Sequence, residues 1–168
     1  MSTESYAAQG RLVRLKSKLA KEMPVTQALG VSVPGFQSGR LVLRAPLEQN
    51  RNHQGTAFAG SVNALATLAG WARVWLALIE AEVEAGLVIQ DSSIRYLHPV
   101  TADFTAACAP PEPDDLDGLF RAVRKYGRGG ITMSVSVRAG GEPVAEFVGR
   151  YVAIASHGRG HAGHAPSH

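Results

Sequence analysis

Apolar positions fall into helical and alternating patterns along the chain. Leu12, Leu15 and Leu19 recur at helical spacing among Arg11, Arg14, Lys16, Lys18 and Lys21, which predicts an amphipathic leading helix over residues 5–22. Pro24 closes it, because proline lacks a backbone N–H and disfavours helix at the residue before it. Two β-prone runs, residues 31–36 and 40–45, flank Gln37, Ser38 and Gly39 and predict a hairpin. The apolar stretch 56–85 is too long for a strand and predicts one helix over about residues 57–84, stopped near Gly86. Its first turns are apolar nearly all round, and Ala59, Gly60, Ser61, Ala64, Ala66, Ala69 and Gly70 keep it slim. Such a helix must be enclosed, and a sheet wrapped round it would do so. Strands follow at 88–97, 103–109, 131–137 and 144–155, with Gly140 and Gly141 turning between the last two. A short helix at 116–126, ended by Gly127, separates the second of these strands from the third. The expected class is α+β, with about six mostly antiparallel strands and a central helix.

Composition narrows the function. The chain has 168 residues, 45% hydrophobic and 18% charged, which is enough apolar material for one domain and too little charge for a disordered polyelectrolyte. Three segments are expected: the leading helix (1–22), the domain (23–155) and a disordered tail (156–168) that holds four of the six histidines. The tail would bind a transition metal weakly or be incidental, and no metal site is expected in the domain. Cys108 stands alone, so no internal disulfide forms, and it reads as a buried filler. The net charge of +3 is spread along the chain without interleaved aromatics, which argues against nucleic acid as a partner. Residues 54–72 carry no charge, yet Ser61, Asn63, two threonines and three glycines interrupt them, so a buried helix fits better than a membrane span. The start of the chain lacks the apolar run of a signal peptide, and a cytoplasmic protein is expected.

The chemistry points to the polar loop that runs into the apolar helix. A helix N-terminus leaves backbone N–H groups unpaired and partly positive, so an acyl carbonyl or developing oxyanion would be stabilised there. Gly55 permits close approach, while Thr56 reads equally as an ordinary N-cap. His53, just ahead of the helix, is either a base titrating near neutrality or a solvated loop residue. Asp91, with Ser92 and Ser93 beside it, is either a cleft carboxylate or an ion-pair partner of Arg95. Asn50 and Asn52 read as loop holders, and Trp71 and Trp75 as core or pocket wall. Arg121, Arg124, Lys125 and Arg128 gather near Gly127, Gly129 and Gly130, a phosphate site or a solvated basic turn.

The runs APLEQNRNHQGTAFAGS (45–61), LAGW (68–71), DSSIRYLHPV (91–100) and FVGRYVA (147–153) occur in an order that resembles the putative thioesterase domain at the C-terminal end of YiiD-type acetyltransferases. The resemblance spans roughly residues 20–155. It implies the hotdog fold, a homodimer or tetramer, and hydrolysis of an acyl group carried by coenzyme A or acyl carrier protein. Coenzyme A would arrive as part of the substrate, with no other cofactor. Backbone N–H groups near Gly55, Thr56 and Ala57 would polarise the thioester carbonyl, with Asn50, Phe58, Gly60, Ser61 and Ser92 also contacting substrate. Arg124, Lys125 and Arg128 would meet the coenzyme A phosphates. Many related enzymes carry Asp or Glu on the helix where this chain has Asn63, which orients water but takes no proton. The candidate catalytic residues are therefore Asn63, His53 and Asp91, and the alternative is a non-catalytic acyl-CoA or acyl-carrier binding protein.

Overall fold

A computed structural model describes residues 3–156, so the histidine-rich tail from residue 157 lies outside the described residues. The leading segment forms α1 (Thr3–Glu22), followed by the short α2 (Val25–Ala28). Leu15 and Leu19 are buried, so one face of α1 joins the same core as the rest of the chain. Next come β1 (Ser32–Gln37) and β2 (Arg40–Ala45), then α3 (Ala59–Glu80), β3 (Ala85–Tyr96) and β4 (Phe104–Cys108). The chain finishes with α4 (Pro113–Tyr126), β5 (Arg128–Ala139) and β6 (Glu142–Ala155).

The six strands form one sheet in the order β1-β2-β4-β5-β6-β3, every pairing antiparallel. The sheet wraps α3, as the helix's apolar circumference requires. By length and composition α3 would also span a membrane, but over half of its most apolar stretch is buried within the fold.

Both hairpins follow the turn chemistry. Ser38 and Gly39 have positive φ between β1 and β2, as do Gly140 and Gly141 between β5 and β6. Gly127 ends α4 in the left-handed conformation, while Pro113 opens that helix. Asp114 and Asp115 lie in its first turn and Arg124 and Lys125 in its last, which suits the helix dipole at both ends.

The central helix is shorter than its pattern predicts. It stops at Glu80, where Val83 N–H bonds to Leu78 O and Glu82 N–H to Ile79 O, the paired bonds of a Schellman ending. Glu82 takes the left-handed position usually given to glycine, at φ 53°. Burial of Val83 holds this turn in place, so Gly86 lies within β3 and stops nothing. At its other end α3 begins at Ala59, two residues later than expected, because Thr56 and Ala57 belong to the loop.

Helix and sheet approach closely at Gly70. A Cβ there would lie 2.3 Å from the Tyr151 hydroxyl, which itself donates to Thr67 O at 2.7 Å. Burial pushes the Tyr151 phenol far above its usual range, so it remains a neutral donor.

The two sheet margins differ. At β1 the pairing shifts between Ser32 and Gly35, and Pro34 within it has no N–H. At β3 a twelve-residue strand pairs with β6 alone, leaving its other edge unpaired among the described residues.

Gly70→Ala should lower stability by roughly 2 kcal/mol or more, because the new methyl group drives the Tyr151 ring off its bond to Thr67. A thermal melt unchanged from wild type would show that the helix and sheet are not packed this closely.

Candidate active site

The loop between β2 and α3 is held from several sides. Asn50 is buried, and its side-chain amide donates to Leu29 O and Pro46 O, while its backbone carbonyl accepts the Phe58 N–H. Asn50 is therefore a loop holder with both amide hydrogens bonded to protein, and Ser61 is likewise buried. Asn52 Oδ1 accepts the N–H groups of Gln54 and Thr56, and Asn52 Nδ2 donates to Thr56 Oγ1. Asp103 fixes the loop's start: one carboxylate oxygen accepts Leu47 N–H and the other pairs with Arg44 at 2.7 Å. The Leu47 N–H and the Arg44 guanidinium hold the Asp103 carboxyl below the usual carboxylate range.

These bonds relocate the expected carbonyl-polarising amides. Gly55 N–H bonds to Asn52 O, Thr56 N–H to Asn52 Oδ1 and Ala57 N–H to Val100 O. None of the three is free for a substrate. Phe58 is the N-cap, in an extended conformation and without a side-chain cap, so Thr56 caps nothing. The backbone N–H groups of Ala59 and Gly60, at the first two helical positions, have no acceptor among the described residues. Both residues are exposed, and the Phe58 ring stands over Gly60, where a Cβ would lie 2.3 Å from it.

Asn63 lies three residues after Gly60 and four after Ala59, on the same helical face. Its Oδ1 is buried with no hydrogen-bond partner. Tyr96, at the end of β3, donates its hydroxyl to Ala59 O at 3.0 Å and ties the strand to the helix's first turn. Beside it is a cleft of about 330 Å³ lined by Thr56, Ala59, Val62, Tyr96, His98 and Pro99, among others. Tyr96 and His98 were not among the expected site residues, although both lie within the DSSIRYLHPV run. Sequence alone does not show that the Tyr96 hydroxyl reaches Ala59.

The remaining candidates separate. His53 is exposed on the loop ahead of α3. Asp91 follows a bulge between Ile89 and Asp91 and sits opposite Arg150, on the face of the sheet away from α3. Arg150 marks that face, since it donates to Gln90 and lies over Gly130, whereas its neighbour Tyr151 points to α3. Ser92, opposite Gly149, falls on the α3 side. Arg95 pairs with Glu146 at 2.7 Å, so it is not Asp91's ion-pair partner.

Gly129 and Gly130 offer a phosphate no backbone cradle: a Cβ at Gly129 would meet Leu119 O and Ala122, and one at Gly130 would meet Arg150. Arg124 donates to Ala81 O, joining α4 to the end of α3, while Arg121, Arg124 and Lys125 line an open surface hollow and Arg128 is exposed. Trp71 and Trp75 stack with centroids 5.7 Å apart, and Trp71 donates to Leu87 O of β3. Cys108 is fully buried, and burial pushes its thiol up to about 12, which leaves it a packing group.

The model of the family described as "Putative thioesterase (yiiD_Cterm)" matches residues 12–155. A protein of unknown function from Chlorobaculum tepidum is similar at 25% identity and a TM-score of 0.85, covering 89% of this chain and 97% of that one. A putative thioesterase from Shewanella oneidensis is similar at 30% identity and a TM-score of 0.77, covering 87% and 99%. A Pseudomonas aeruginosa protein at 23% identity, with a TM-score of 0.70 and coverage of 86% and 96%, shares the fold.

Asp103→Asn should change the acid limb of the stability curve. The depressed carboxyl stabilises the fold above its unfolded value of about 3.9, and that contribution is lost as pH falls through the lower folded value. Melting temperatures of wild type and variant should differ at pH 6 and converge towards pH 2. A constant difference across that range would contradict the assignment.

Proposed function

Since the chain belongs to the YiiD C-terminal putative thioesterase family, we propose that it hydrolyses an acyl thioester at the N-terminus of α3. The observation that carries this reading is that the two N–H groups without an acceptor, on Ala59 and Gly60, and the unpartnered Asn63 Oδ1 belong to residues of one helical face. The thioester carbonyl oxygen would accept from the two amides, whose direction and partial charge suit the oxyanion formed on attack. Asn63 Oδ1 would accept one hydrogen of the attacking water and hold its lone pair towards the carbonyl carbon. Water then adds to carbon and the C–S bond breaks. The acyl group leaves as the acid and the sulfur as the thiol. Asn63 keeps no proton, so the proton lost by water passes to solvent and on to the departing sulfur. The Phe58 ring over Gly60 would form the rim against which the acyl group lies.

A homodimer completes this reading. The unpaired edge of β3 is twelve residues long, and Val88, Ile89 and Tyr96 on it are exposed. Pairing of two β3 edges would continue the sheet and cover these residues. The half-buried side of α3 that carries Asn63, Ala64 and Thr67 would then lie between the two subunits. The substrate is taken to be an acyl-CoA or acyl-carrier thioester in the cytoplasm, with the exposed basic residues of α4 reached by the phosphates. The alternative, a non-catalytic acyl-thioester binding protein, draws on the same residue, since Asn63 stands where a proton acceptor would serve hydrolysis better.

Free-thiol release from a panel of acyl-CoA substrates tests the reading. Asn63→Ala should lower kcat by roughly 100-fold with little change in KM, whereas Asp91→Ala should remain within about twofold of wild type. Saturable acyl-CoA binding without thiol release would establish the binding-protein alternative. By light scattering, the particle should have twice the 17.8 kDa chain mass. A monomer at micromolar concentration would remove the shared-cleft part of the proposal.

A further inference from the structure

A second cleft, of about 620 Å³, lies between α1, the β1-β2 hairpin and the later turns of α3, lined by Ala8, Arg11, Phe36, Arg73, Leu76 and Glu80, with Gly39 at the hairpin turn. Arg73 has an unusual position for its charge. It projects from the middle of α3, the helix the sheet encloses, and its guanidinium stands 5.8 Å from the centre of the Phe36 ring. Its Nε is buried without a hydrogen-bond partner, and its side chain makes no hydrogen bond or ion pair among the described residues. Burial lowers the Arg73 pKa from its ordinary value, and Cys108 and then Glu80 only partly oppose this.

The neighbouring charges define what would fit. Arg11 pairs with Glu80 at 3.1 Å across the cleft's lining, so Arg11 and Glu80 largely neutralise one another and Arg73 is left in excess. A planar guanidinium with unused donors matches a carboxylate, which it binds through two parallel hydrogen bonds. A dianionic phosphate fits less well, because only one positive charge is left over to meet its two negative ones. Ala8, Phe36 and Leu76 supply apolar wall beside that charge. The volume falls within the range of small-molecule sites.

We propose that this cleft binds the carboxylate of a small amphiphile, a medium-chain alkanoate, with Arg73 as the anion-binding group and Phe36 and Leu76 against its hydrocarbon chain. The site shares no lining residue with the cleft at the start of α3. It therefore stands whether or not the chain hydrolyses thioesters.

Isothermal titration of the full chain with octanoate, acetate and inorganic phosphate tests the proposal. Octanoate should bind saturably and more tightly than acetate or phosphate. Arg73→Gln should weaken octanoate binding about tenfold or more, the scale of a lost charge-assisted hydrogen bond. Glu80→Gln removes the competing carboxylate from an exposed position and should tighten binding severalfold, so the test does not rest on a buried substitution alone. Asn63→Ala should leave this affinity unchanged, which separates the site from the α3 N-terminus. Octanoate binding that survives Arg73→Gln at full strength, no binding by wild type, or tighter binding of phosphate than of octanoate would each overturn the proposal.

Discussion

The fold depends on the enclosure of α3. A helix apolar on nearly every side loses free energy wherever it meets water, and here a six-stranded antiparallel sheet covers most of it, with α1 reaching its later turns. Small residues make the enclosure tight. At Gly70 the helix admits the Tyr151 hydroxyl, which reaches past where a side chain would stand and bonds to the helix backbone at Thr67. One contact thus sets both the depth and the rotation of α3 in the sheet, and these decide which residues its open side presents.

Rotation and depth together bring the site into being. With Tyr151 bonded to the middle of the helix and Tyr96 to its first turn, Ala59 and Gly60 are exposed and Asn63 is half-buried on the same side. The loop ahead of them is built in the opposite sense. Its amides are bonded internally to Asn52 or to Val100, and its two ends are fastened through Asn50 and Asp103. The loop spends its N–H groups on itself and its neighbours, and the helix's first two amides are the ones left without an acceptor among the described residues.

Much of this was legible in the sequence. The helical spacing of leucines in α1, the alternation in β5, the glycine turns and the all-round apolar helix each carried enough local signal to specify an element, and the ordered runs of residues indicated how the elements assemble. What escaped depended on tertiary contact. The end of α3 is set by burial of Val83, which holds Glu82 in a conformation glycine would ordinarily occupy. The free amides lie at Ala59 and Gly60 and not at Gly55–Ala57 because Asn52 accepts from Gly55 and Thr56, and Val100, over forty residues away, accepts from Ala57. Asp91 changed faces through a single extra residue in β3, and alternation alone does not disclose such a bulge. Gly129 and Gly130 proved to be spaces for Leu119 and Arg150, because a glycine run reads the same whether a ligand or a neighbour fills it.

The asymmetry of the sheet margins bears on how the molecule associates with itself. Strand addition needs a row of unsatisfied backbone groups in steady register, which β3 offers, whereas Pro34 and the slipped pairing beside it deny it to β1. Two copies that join through β3 thereby turn their β1 margins outward at the extremities of the joint sheet. Neither extremity offers the regular unpaired row that β3 does, so strand addition of the proposed kind would close on a pair.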